Sequence, residues 1–164
     1  MNATHLHLVL NHFPIVGTLV GIGVIFYGYI RQSDETKRAA LWIWVLMAAI
    51  AVPVFLTGEP AEESVEELAG VSEAMIHSHE EAAELAIWVM GVLGVVSLLG
   101  LLASRRPSGV SKSLFLVSAL LSVIAFGVMA RTGYLGGQIR HSEIRTTVSV
   151  QPGSSEAGGE HDDD

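Results

Sequence analysis

Cysteine is absent from this chain. That excludes disulfides, thiolate zinc sites, iron–sulfur clusters, covalent c-type haem and cysteine nucleophiles. Charge is scarce: Asp, Glu, Lys and Arg make up 16% of the 164 residues, against roughly 25% in soluble domains. Bases are scarcer than acids, nine Lys and Arg against 17 Asp and Glu, for a net charge of −8. A nucleic-acid binder needs a basic surface to displace counterions, so that class is excluded. Hydrolytic signatures are missing too. There is no Gly-x-Ser-x-Gly and no phosphate-binding glycine loop, and His79-Glu80-Glu81 lacks the second histidine of a zinc-protease helix. No independent catalytic activity is expected.

What is plentiful is apolar. Hydrophobic residues make up 50% of the chain and the mean hydropathy is +0.48. Four apolar stretches, at about residues 10–31, 39–57, 80–103 and 113–132, are each long enough to cross a ~30 Å hydrocarbon core as a helix. Backbone groups inside lipid must be satisfied within each span, which makes helices the expectation. The N-terminus carries no Lys or Arg and no small-residue cleavage pattern, so the first span is expected to be retained. The expected fold is an all-α, integral-membrane four-helix bundle of two helical hairpins over residues 1–145. A short helical outer loop at 59–78 joins them. Residues 146–164, rich in Gly, Ser, Glu and Asp, read as a disordered acidic tail.

Orientation follows from the short connections. Arg31 to Arg38 and Ser104 to Lys112 hold three bases each, while Glu59 to Glu81 holds eight acids and no Lys or Arg. The positive-inside rule places the basic loops in the cytoplasm and both termini outside. The expected location is the bacterial inner membrane, with the bilayer itself as first partner. Gly17 and Gly21 form a small-xxx-small pair that would permit a homodimer, although packing within the bundle explains them equally. Pro53 is expected to kink the second span.

The halves resemble each other weakly. Asn11-His12-Phe13 and Ser78-His79-Glu80 open helices, and Leu56-Thr57-Gly58 and Arg131-Thr132-Gly133 end them. Two such hairpins would be related by an axis along the membrane normal. Histidine-bearing starts and Thr-Gly ends would then meet at one surface.

All seven histidines fall on the expected outer side. Bundles place cofactors and metals between facing helices. In one reading His12 and His79 are axial ligands of a b-type haem used for electron transfer, with Arg131 and Arg140 for its propionates. In a second reading His77, Glu81 and Glu84, which share a helix face, bind zinc or copper together with His141. A third reading makes the histidines helix caps on a structural or assembly subunit. His5 and His7 read as surface residues.

Two segments resemble a known family. His12-Phe13-Pro14-Ile15 is similar to the opening of the bacterial membrane family called domain of unknown function 2231, and Tyr134-Leu135-Gly136-Gly137-Gln138-Ile139 is similar to its closing segment. His79 or His77 matches its histidine at the third helix. The resemblance covers most of Leu10 to Arg140. It implies a four-helix membrane domain, sometimes associated with cytochrome-type electron transfer, and hence a redox partner or membrane complex.

Overall fold

A computed structural model describes residues 3–64, 66, 71–105, 109–141 and 144, with the Arg140 side chain excluded. The expected acidic tail, 146–164, lies outside the described residues, as do Glu67 to Gly70 of the outer loop. The elements are α1 (Ala3–Leu10), α2 (His12–Ile30), α3 (Asp34–Leu56), α4 (Gly58–Glu63), α5 (Glu73–Ala103) and α6 (Gly109–Arg140). No strand occurs among the described residues. Four helical stretches, Ala3–Ile30, Asp34–Leu56, Glu73–Ala103 and Gly109–Ile139, are long and apolar enough to cross a membrane. The chain thus reads as a multi-pass membrane protein.

Each boundary has a local cause. The first stretch is interrupted at Asn11, and Pro14 lacks the N–H that the Leu10 carbonyl needs. α2 ends in a tight cap. Gln32 adopts a left-handed conformation (φ 51°), and the Ser33 N–H donates to the Gly28 carbonyl at 3.0 Å. The Ser33 hydroxyl then caps α3 by accepting from the Thr36 N–H. Pro53 lies inside α3 near its end. α5 starts at Glu73 and runs unbroken through the third apolar stretch.

α6 is longer than the sequence suggested. Its apolar run fades near Arg131, yet the helix continues through Gly133, Gly136 and Gly137 to Arg140. Glycine costs about 1 kcal/mol per helical position. Here packing offsets it: Ile139 joins Ile76, Val71 and Met75 in a small apolar cluster beyond the main core.

α2 packs on α3 and α6, and α5 packs on α6 and α3. The four long helices therefore close a ring in the order α2, α3, α5, α6. Trp44, Leu41, Met90, Leu93 and Phe115 fill its centre. The outward faces carry Trp88, Leu56, Phe26 and Leu120, all strongly exposed, which suits contact with lipid chains.

Candidate functional site

At the end of the bundle where α3 stops and α5 begins, a cavity of about 840 Å³ opens between α1, α2, α3, α5 and α6, with α4 over it. That is ample for an organic cofactor. Pro14, Ala51, Ala86 and Met129 form its buried side, with Ile15 and Ile87 next to them. Glu59, Glu80, Glu81 and Glu84 stand on its exposed side, with Glu62 partly covered.

Two half-buried histidines face this space in the same way. His7 on α1 donates its Nδ1–H to the Val54 carbonyl at 3.0 Å. His79 on α5 donates its Nδ1–H to the Thr132 carbonyl at 3.1 Å. A carbonyl can only accept, so each ring carries a proton on Nδ1, and in the neutral tautomer Nε2 is then the lone pair. Ligand histidines are oriented by such a bond.

A glycine makes room for the His79 ring, and another lies beside His7. A Cβ on Gly136 would stand 2.9 Å from His79 Cε1, closer than side-chain carbons approach. A Cβ on Gly58 would lie 3.9 Å from His7 Cε1. Each glycine sits one helical turn beyond the carbonyl that holds its histidine. Threonines lock the same ends. Thr57 donates to the Pro53 and Val54 carbonyls, and Thr132 ties α6 to α5 through the Ala82 carbonyl at 3.0 Å.

The matching is not confined to the site. The buried residues Pro14, Thr18, Gly21, Ile25 and Gly28 of α2 recur as Ala86, Met90, Leu93, Ser97 and Gly100 of α5, all at the 72-residue spacing of His7 and His79. Ala40, Trp44, Met47 and Ala51 of α3 recur as Ser118, Ser122, Ala125 and Met129 of α6 at a second constant spacing, which Val54 and Gly58 share with Thr132 and Gly136. Thr18 even donates to its own counterpart, Met90 Sδ, at 3.8 Å. The halves are therefore related in a different register from the one their sequence motifs suggest. His7, not His12, is the counterpart of His79. The signal was present as His5-x-His7 and His77-x-His79.

The remaining expected residues fall as follows. His12 is exposed on α2 and reaches the cavity from its rim. His77 pairs loosely with Glu81 at 3.7 Å, both exposed, and these two, Glu84 and His141 line the rim as well. Among the described residues, no three His, Asp or Glu side chains group closely enough to hold a metal ion. Arg131 is exposed and does not line the cavity. The Arg140 side chain lies outside the described residues. Asn11 Oδ1, missed by the sequence reading, belongs to a residue lining the cavity and is a buried acceptor without a partner among the described residues.

No family model, curated protein or solved structure matches the chain. The site must be read from its own chemistry.

One carboxyl at the mouth is unusual. Burial, a hydrogen bond with Glu80, and the charges of Glu80, Glu66 and Glu59 push Glu62 up to about 7. Between the ordinary value of 4.5 and about 7, the folded chain keeps a proton that the unfolded chain releases. Stability should therefore fall as the pH rises across that window and level off above it. Thermal unfolding followed over the same window should show a flatter profile for Glu62→Gln. An unchanged slope would show that the shared proton is not there.

Proposed function

We propose that the chain is an integral-membrane, cofactor-binding subunit that holds a b-type haem between His7 and His79. One observation carries this reading. Two histidines at matching positions of the two halves are each fixed through Nδ1 by a helix carbonyl, and both line one shared cavity. Low-spin haem needs two opposed imidazoles and an apolar slot. The donor set fits, and so does the apolar side of the cavity. Asn11 Oδ1 is an orphaned buried acceptor where a ligand donor would be welcome. Haem bound there supplies a one-electron carrier, and the chain would serve a redox partner rather than catalyse on its own. The mouth is acidic, which opposes propionates. The proton shared by Glu62 and Glu80 lowers that charge, and His12, His77 and His141 stand at the same mouth.

In this reading the helices form two hairpins with both termini outside, and the basic turns lie in the cytoplasm of a bacterial inner membrane. The resemblance to domain of unknown function 2231 points to the same kind of molecule.

The test is an optical spectrum of detergent-purified protein from haem-supplemented cells, oxidised and then reduced with dithionite. Sharp reduced bands should be present, lost in His7→Ala and in His79→Ala, and retained in His12→Ala. A featureless wild-type spectrum would sink the haem reading. The acidic mouth favours one alternative occupant, a zinc or copper ion on the same two nitrogens, and elemental analysis of the same sample would reveal it.

A further inference from the structure

The other end of the bundle carries a second, smaller cavity with the opposite charge. It measures about 200 Å³ and lies between the start of α3 and the end of α5. Arg38 enters it from α3 and Arg105 from just beyond α5. Its lining contains no carboxylate. Two acids lie one turn before Arg38: Asp34 is engaged by Lys37 at 3.0 Å, and Glu35 is exposed with no ion pair to Arg38 among the described residues. Neither guanidinium has an ion-pair partner among the described residues. Two cations lining one small space repel each other unless an anion lies between them.

The rest of the lining says what kind of anion. Leu98 and Leu102 connect the cavity to the lipid-facing surface, where they are 43% and 48% exposed. Trp42 closes one side with 60% of its surface free, as amphipathic aromatics do at the headgroup level. Ser104 is not a donor here, because its hydroxyl is given to the Leu101 carbonyl at 2.8 Å. The backbone N–H groups of Ser104 and Arg105 are also used, by the Gly100 and Leu102 carbonyls. Recognition therefore falls to the two guanidinium forks, whose planar donors suit phosphate oxygens.

We propose that this cavity holds the phosphate of an anionic phospholipid between Arg38 and Arg105, with an acyl chain along Leu98 and Leu102. Basic pockets between membrane helices bind such headgroups. The shared chemistry, a phosphate held by two guanidiniums, would also accept free phosphate, and the acyl contacts separate the two sources.

The experiment follows the thermal unfolding of the full chain in a neutral detergent. Phosphatidylglycerol, phosphatidylcholine and inorganic phosphate are each titrated. Phosphatidylglycerol should raise the midpoint saturably, and phosphatidylcholine should not. Inorganic phosphate should act only at far higher concentration; equal protection by it would make free phosphate the ligand of the same two arginines. In the Arg38→Gln, Arg105→Gln double variant the apparent affinity should fall at least about tenfold. Arg31→Gln, in the neighbouring turn, should bind as the wild type does. If the glutamine pair fails to fold, the lysine pair keeps the charge but loses the forks, and it should still bind more weakly. Unaltered phosphatidylglycerol binding by a folded double variant would overturn the proposal.

Discussion

Replacing Gly136 by valine should unseat His79 while leaving the bundle folded. A Cβ there meets three atoms of the imidazole ring at 2.9 to 3.4 Å. The ring is the movable partner, since the Gly136 backbone is fixed in α6. To escape, it must abandon the Thr132 carbonyl, and with that bond goes the constraint that orients the ring. Losing such an orienting contact costs about 10–100-fold in affinity at a ligand histidine. The readout is the amplitude of the reduced haem bands against total protein, or bound metal if the occupant is an ion. Gly127→Ala is the control on the same helix, because nothing lies within 4 Å of its added Cβ. It should leave the site unchanged and, by helix propensity, stabilise slightly. Wild-type occupancy in folded Gly136→Val would mean that His79 is not a ligand.

The second large effect is expected at Trp44. It is completely buried, and its Nε1–H donates to the Thr18 carbonyl at 3.3 Å. Its ring occupies the space that a side chain on Gly21 would need. Truncation to alanine should cost about 3–5 kcal/mol in a reversible unfolding assay. In lipid the loss is mostly of packing contacts, since hydrocarbon tails solvate apolar surface well. Gly21→Ala should cost about 1–3 kcal/mol by overpacking. Combined with Trp44→Phe, the cost should be less than additive, because the smaller ring yields the space. Strict additivity would show that the two positions do not share it.

The sequence made the membrane helices legible because their signal is local. Long apolar runs need no partner to be recognised. The end of α6 was not legible. Gly133, Gly136 and Gly137 read as a stop, and long-range contacts, with Ile15, His79 and Ile76 among them, hold that segment in place. His79 stood out because it precedes an apolar run. His7 did not, since a helix break at Asn11 separates it from its span and local context makes it a surface residue. What identifies His7 is a long-range regularity, the recurrence of His-x-His with the spacing that also relates Gly28 to Gly100. Hydropathy cannot register such a relation. The tilt of each ring is set by carbonyls of Val54 and Thr132, distant in the chain and silent in any motif.

The matching of the two halves also bears on why they are joined. Two identical units around an axis must place the same residue at both equivalent positions. A tryptophan at each would overfill the interior, and a serine at each would leave it hollow. Here one side carries Trp44 and the other Ser122, both fully buried. Thr18 likewise offers a hydroxyl to a methionine sulfur where symmetry would set like against like. Covalent fusion is what permits such unequal partners. The interior could specialise residue by residue, while the two carbonyl-held histidines stayed a matched pair.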